Sequence, residues 1–383
     1  MDQEESSLRE QIYSFLDRAE QGEEAFNRLA LNVFAFQWER NSVFRDLCLR
    51  LGVSPKDVSD WKQIPPLPTR AFRVLDVSCF PVGNAERVFL SSGTSGGPRQ
   101  RSRHFVFDLS LYHQSVLRWF VPHLLPENQP IPIAVLFPSP VQLPHSSLAE
   151  MFSVIVHHFA RNRDSHPWFV GDGRLLVPEL MGWLRQAQKE EQPVLLLGTT
   201  IGFAHFLSDC DRLNVQFHLP PESRLMDTGG SKGLRRSYPL KEMRSRYERV
   251  LGIRADHCIN EYGMAELFSQ FYDGSVGSPY LAKAVRVDDG LSDRVHRGPP
   301  WTRSRVVDPV TLQEVPLGQV GVLSHYDLAN WQTAFAVLTE DVAIRAEDGF
   351  ILIGRADGAE VRGCSLILED LSSLLYREAT GDP

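Results

Sequence analysis

Cysteine is scarce in this chain and unpatterned. Its 383 residues include five, Cys48, Cys79, Cys210, Cys258 and Cys364, an odd number with no C-x-x-C pair. That spacing argues against zinc and disulfide frameworks, and free thiols imply a reducing compartment. No apolar run approaches the roughly 20 residues that span a bilayer. The opening Met-Asp-Gln-Glu-Glu is acidic and has no apolar signal core. These absences together predict a cytoplasmic protein with no membrane span. Excess basic charge is missing as well. Lys and Arg number 40 against 48 Asp and Glu, a net charge of −8 spread along the chain, so no nucleic-acid surface is advertised. There is no internal repeat, no low-complexity stretch, and no G-K-[ST] ending of a Walker A loop.

What is present is a globular composition, 43% apolar and 23% charged, with length enough for a sizeable core. Apolar spacing predicts helix from residue 6 to about 52, with Leu8, Ile12, Phe15 and Leu16 on one face and Leu31, Phe34 and Phe36 on another. A Pro-rich joint follows at Ile64 to Pro68. Glu86 to Leu90 reads as a strand, His104 to Phe107 as β-like, and Leu109 to Leu125 as a helix. Three short apolar runs, Ile133 to Phe137, Val194 to Leu197 and Arg224 to Met226, alternate with helical stretches. That alternation predicts an α/β fold with a sheet covered on both faces. From about Val306 the pattern becomes short strands and turns, a smaller β-rich subdomain. The expected divisions are an N-terminal helical segment at 1–60, an α/β core at 61–305, the β-rich subdomain at 306–353 and a terminal segment at 354–383.

Three islands carry chemistry. Ser91, Ser92, Gly93, Thr94, Ser95, Gly96, Gly97 and Pro98 mix hydroxyls with glycines. Such a loop lets backbone amides and hydroxyls close on a polyphosphate, although a plain surface turn uses the same residues. The second island, Asp227 to Gly233, contains Gly229 and Gly230 and follows a predicted strand. The third, Ile259 to Glu266, contains Glu261, Tyr262, Gly263 and Met264. In an open parallel sheet, loops at the carboxyl ends of strands line the ligand crevice. Paired glycines let backbone approach a flat base, Tyr262 can stack on it, and Glu266 can hold Mg2+ beside phosphates. The plainer alternatives are a hairpin turn for the second island, and a buried tyrosine with a solvated glutamate for the third.

In this order, the islands resemble the motifs of the adenylate-forming superfamily of acyl-CoA synthetases, luciferase-like enzymes and adenylation domains. Ser91 to Pro98 looks like its phosphate loop and Gly229-Gly230 like its adenine-side loop. Tyr262 to Glu266 looks like its Y-G-x-[TS]-E motif, with Ala265 in place of the hydroxyl residue. The region around Asp341 looks like the motif that binds the ribose hydroxyls. Gly354-Arg355-Ala356-Asp357-Gly358 looks like the hinge motif, with Arg355 near ribose or phosphate. Within the superfamily the chain is most similar to the acyl-protein synthetases, on the strength of its modest length, the S-S-G-T-S-G-G-P loop and the segment Gly354 to Leu371.

The resemblance implies an adenylating domain that uses ATP and Mg2+ to activate a carboxylic acid, and a C-terminal acylated cysteine, Cys364 by position. It also implies that the helix start after Gly198, with Thr200 and Phe203, lines the acyl pocket, and that His145 falls near a gating residue. No fixed cation stands among those pocket residues, which favours an apolar acid such as a fatty acid. Two departures accompany it. Beyond Arg355 the chain runs only to residue 383, so a truncated C-terminal domain is expected, and the last lysine is Lys283. Positive charge would then come from Arg99, Arg101, Arg103, Lys232, Arg355 or Arg362. The expected activity is formation of an acyl-adenylate and transfer to the Cys364 thiol, then to an acyl-accepting partner protein. Two alternatives stand beside it. One is an adenylate-forming ligase of the phenylacetate-CoA-ligase kind, passing the acyl group to CoA, an amine or a carrier protein. The other is a nucleotide-binding protein without catalysis.

Overall fold

The structure is a computed structural model that describes residues 3–18, 22–91, 101–161, 167–229, 239–282 and 294–355. Ser92 to Gly97, Gly230, Lys232 and Cys364 lie outside the described residues, as do Arg99 and Arg362. The chain divides into two compact units. One comprises residues 1–115, 264–269 and 298–383, the other residues 116–263 and 270–297.

The first unit begins with the expected helical region, resolved into Gln3–Asp17, Glu23–Arg40 and Ser42–Arg50. Leu8, Ile12, Phe15 and Leu16 form the buried stripe of the first helix, at the i, i+4, i+7 spacing that puts side chains on one face. Asn41 separates the second and third helices. Its side chain accepts a hydrogen bond from the Phe44 amide at 3.1 Å and so caps the third. The Pro-rich joint supplies a two-residue strand, Leu67–Pro68, which pairs in parallel with Ala336–Ala346. That long strand also pairs antiparallel with Val320–Asp327 and Gly349–Arg355, and Thr302–Val307 completes the sheet.

The strands of this sheet are longer than the short pieces expected: Val320–Asp327 has 8 residues and Ala336–Ala346 has 11. The reason lies in what is buried. Ser324, His325 and Asp327 are fully enclosed inside a strand, so the apolar run that marks a buried strand is broken by polar residues. Separately, Arg87–Leu90 pairs antiparallel with Arg103–Val106, the two strands that flank the Gly-rich segment in sequence.

The second unit is built on a sheet whose strands Ile133–Leu136, Leu195–Thr199, Arg224–Thr228 and Cys258–Tyr262 run parallel, with Phe271–Tyr272 antiparallel at one edge. Consecutive residues Leu195 to Gly198 are all buried, so both faces are covered, as the alternation predicts. Ala134, Leu136, Leu196 and Leu225 pack with Leu184, Phe203, Leu207 and Val250 from the helices Val177–Lys189, Thr200–Leu213 and Leu240–Leu251. Parallel strands place their carboxyl ends on one edge, which brings Thr199, Thr228 and Tyr262 to the same end of the sheet.

Candidate active site

In the first unit Ser91 and Ser102, at the ends of the two strands that flank the Gly-rich segment in sequence, exchange two reciprocal hydrogen bonds. The Ser91 amide donates to the Ser102 carbonyl at 3.1 Å, and the Ser102 amide donates to Ser91 Oγ at 3.0 Å. Glu266 belongs to the same unit and is buried. Burial raises its carboxyl above the usual range, and the nearby Ser102 hydroxyl, Arg355 and Arg73 pull it back down. Ser102 Oγ is itself buried and makes no well-formed hydrogen bond, so its relation to Glu266 is one of proximity more than of a fixed bond.

Glu266 is presented on a segment clamped from several sides. One nitrogen of the fully buried His104 ring, Nδ1, meets the Ala265 carbonyl at 2.7 Å, and the other, Nε2, meets Thr333 Oγ1 at 3.0 Å. Asn330 donates to the Glu266 carbonyl at 2.8 Å and accepts from the Phe268 amide at 3.0 Å. Asp327 Oδ2 accepts from the Ser269 amide at 3.0 Å. These polar residues hold the backbone of residues 265 to 269, and a buried carbonyl or amide left without such a partner would be costly.

Two motif residues separated along the chain meet across strands. Asp341 and Arg355 are register partners, with Arg355 Nε 3.6 Å from Asp341 Oδ1. Next to Asp341, Glu340 receives two further arginines: Arg70 Nε at 2.6 Å and Arg73 Nη2 at 3.1 Å. Burial raises the Glu340 carboxyl, but these arginines outweigh it and hold the group below its usual range. Arg70 and Arg73 were absent from the cations anticipated from the sequence. No short motif marks them, and only the pairing of Leu67–Pro68 with Ala336–Ala346 brings them to Glu340.

In the second unit the strand ends carry a buried polar layer. Asp227 Oδ2 accepts from Thr200 Oγ1 at 3.0 Å and from the Tyr247 hydroxyl at 2.9 Å, and Asp227 Oδ1 accepts from Asn260 Nδ2 at 2.9 Å. Burial raises the Asp227 carboxyl against these donors. Thr200 Oγ1 also lies 2.9 Å from the carbonyl of Gly229, a residue in the left-handed region at φ 76° where glycine is favoured. On the neighbouring strand Glu261 hydrogen-bonds Thr228 Oγ1, and burial pushes its carboxyl up to about 7. Glu261 Oε1 leans over Gly263, so a Cβ there would come within 2.5 Å of it.

The remaining sequence candidates fall in several environments. Tyr262 is buried against Phe271 and His296, at ring separations of 5.8 and 6.4 Å. Phe203 is fully buried in the core and edge-on to Tyr247, and the Thr200 hydroxyl is engaged with Asp227. His145 is exposed on the loop before the helix Ser147–Phe159. His157 and His158 are both exposed at the end of that helix. Met264 opens the 264–269 segment of the first unit.

Comparison with known proteins decides the family. The model of the acyl-protein synthetases, LuxE, matches residues 13–372. The chain belongs to the LuxE acyl-protein synthetase family. A long-chain-fatty-acid–luciferin-component ligase of Vibrio harveyi is 21% identical over 358 residues, covering 89% of this chain and 86% of the relative. Among solved structures, 2-hydroxyisobutyryl-CoA ligase in an open conformation with 2-HIB-AMP and CoA aligns with a TM-score of 0.62 at 14% identity, over 88% of this chain and 70% of the other. The same ligase in its thioesterification state gives a TM-score of 0.61 at 16% identity, over 88% and 68%. The LuxE-family chain is thus a ligase of the acyl-protein synthetase type on an α/β adenylate-forming fold. Among its described residues no helix is long and apolar enough to cross a membrane.

Proposed function

We propose that this protein activates a long-chain fatty acid with ATP and passes the acyl group to the thiol of Cys364, from which a partner protein receives it. The observation that carries the reading is the assembly, within one unit, of the bonded Ser91 and Ser102, the buried Glu266, and the Asp341–Arg355 pair. In the adenylating step the carboxylate oxygen attacks the α-phosphorus of ATP. The bond to pyrophosphate breaks, pyrophosphate leaves, and an acyl-adenylate remains. The second step is attack of a thiolate on the acyl carbonyl. The carbon–oxygen bond to AMP breaks, AMP departs with the electron pair, and the thiol proton goes to solvent. The first step needs in-line placement and charge neutralisation, which preorganised donors and cations supply.

By their motif resemblance, Ser91 to Gly97 serve the phosphates, Asp341 and Arg355 the ribose or phosphate, and Gly229, Gly230, Glu261, Tyr262, Gly263 and Met264 the rest of the nucleotide. Thr200, Phe203 and His145 are assigned to the acyl side. Glu266 is the residue that would hold Mg2+. Among the described residues no three His, Cys, Asp or Glu side chains cluster as a metal cage. A lone buried carboxyl fits an ion that keeps several waters and is shared with substrate phosphates. When bound, that ion would neutralise phosphate charge. The protein's own part is to hold Glu266 in place through His104 and Asn330.

The choice of Cys364 gains support from the other thiols. Cys48, Cys79, Cys210 and Cys258 are all buried and free. Burial pushes the Cys48 and Cys210 thiols up to about 12, and raises those of Cys79 and Cys258 as well. A nucleophilic cysteine needs thiolate character and access, which these four lack. Free thiols also suit a cytoplasmic setting.

The test is gel analysis after incubation with radiolabelled fatty acids of graded length and Mg·ATP. The expected result is an ATP-dependent, hydroxylamine-sensitive label on the protein that the Cys364→Ser variant lacks. Equal labelling of that variant would remove the carrier role. Release of an acyl product to CoA or an amine with no protein label would favour the CoA-ligase alternative.

A further inference from the structure

The cations of the first unit include one that no motif marks. Arg73 sits on a single helical turn, Ala71–Val74, which follows directly on the strand Leu67–Pro68. That strand is locked in parallel register, Leu67 against Val337 and Pro68 against Leu338, and the Thr69 amide donates to the Leu338 carbonyl at 2.9 Å. The turn therefore starts beside Glu340, two residues further along the same long strand. On its other side, Phe72 packs edge-on to His104, with ring centres 5.9 Å apart. His104 is the residue that grips the Ala265 carbonyl. Arg73 and Glu266 thus each follow a residue that touches one histidine, and the Arg73 charge is felt at the Glu266 carboxyl.

Arg73 is held but not used up. Its ion pair with Glu340 occupies Nη2 at 3.1 Å, while a guanidinium has five N–H donors in a rigid fork. Its side chain stays 23% exposed. Glu340 also binds Arg70 at 2.6 Å, and that two-arginine clamp fixes the acid against which Arg73 is braced. A guanidinium anchored at one nitrogen, whose charge is felt at the buried Glu266 carboxyl and whose helical turn packs on His104, is a preorganised donor for a phosphate oxygen.

We propose that Arg73 contacts the phosphate chain of the nucleotide, with Glu340 as the residue that positions it. The proposal rests on the ATP-dependent reading above, and Arg73 adds a catalytic cation to it. Arg73→Gln removes the charge and shortens the side chain, while keeping a polar amide at the position.

The test is titration calorimetry of the full chain with Mg·ATP, alongside thermal melts. Arg73→Gln is expected to weaken ATP binding about tenfold or more, the scale of one lost charge-assisted hydrogen bond. Arg73→Lys should recover part of that loss. Glu340→Gln, which leaves the guanidinium in place, should cost clearly less than Arg73→Gln. Wild-type affinity in a folded Arg73→Gln variant would overturn the proposal while leaving ATP use intact. Equal losses in Glu340→Gln and Arg73→Gln would also overturn it, since the pair would then act only as a brace. If Arg73→Gln does not fold, wild-type affinity in Arg73→Lys overturns it, and a partial loss there supports it. A wild-type chain that binds no ATP would sink the adenylating reading itself.

Discussion

Replacing His104 with leucine should destabilise the first unit in a way that depends on pH. The ring is fully buried and satisfied at both nitrogens, at 2.7 Å to the Ala265 carbonyl and 3.0 Å to Thr333 Oγ1. Leucine fills a similar volume but leaves both partners enclosed and unpaired. Each such loss costs about 1–3 kcal/mol, so the expected destabilisation at pH 8 is about 2–5 kcal/mol. Burial pulls the His104 pKa down from 6.5 to about 4, against the Ala265 carbonyl, which favours the protonated ring. The folded state thus prefers the neutral ring. The associated stability is fully present above pH 6.5 and is lost as pH falls towards 4. A shift of this size corresponds to about 3 kcal/mol. The leucine variant has no such acid limb.

The gap between wild type and His104→Leu should therefore narrow by about 2–3 kcal/mol between pH 8 and pH 4.5. Urea unfolding followed by tryptophan fluorescence at the two pH values measures it. His123, His296 and His325, also buried with lowered pKa values, are common to both proteins and cancel in the difference. A gap below about 1 kcal/mol at pH 8, or one that stays constant with pH, would refute the account of a neutral, doubly bonded ring.

Other perturbations probe the second unit. Glu261→Gln should stabilise the protein at pH 8, because burial raises the folded carboxyl to about 7 and its stabilising contribution is lost as pH rises from 4.5 through 7. The gain should be about 3 kcal/mol and should vanish by pH 4.5 in urea titrations. Gly263→Ala forces Glu261 Oε1 away from a new Cβ and disturbs its bond to Thr228. A melting-temperature loss matching about 1–3 kcal/mol is expected by calorimetry. Asp227→Ala removes the acceptor shared by Thr200, Tyr247 and Asn260, and chemical denaturation should show a loss of about 3–5 kcal/mol.

Much of the architecture was legible in the chain because it rests on local periodicity. Leu8, Ile12, Phe15 and Leu16 declare a helix face, and the runs beginning at Ile133, Val194 and Arg224 declare strands buried on both sides. The long strands after residue 300 were harder to read because Ser324, His325 and Asp327 occupy core positions in them. Those polar residues are tolerated by virtue of distant partners, as when Asp327 bonds the Ser269 amide. The same applies to the site. Thr200 and Phe203 stand at a helix start in sequence, and their partners Asp227 and Tyr247 come from distant segments that no local pattern connects to them.

What the sequence determined by itself was the set of motifs: a hydroxyl-and-glycine loop, a Tyr-Gly-Met-Ala-Glu run, and the segments around Asp341 and Arg355. Each depends on neighbouring residues, and neighbours are what a linear text records. Only the tertiary structure decided which charges meet. Asp341 faces Arg355 because two strands pair in one register, and Arg73 reaches Glu340 across 267 residues because a two-residue strand docks beside it. Register and docking are set by the packing of the whole unit, since a one-residue slip of a strand would turn Glu340, Asp341 or Arg355 to the opposite face.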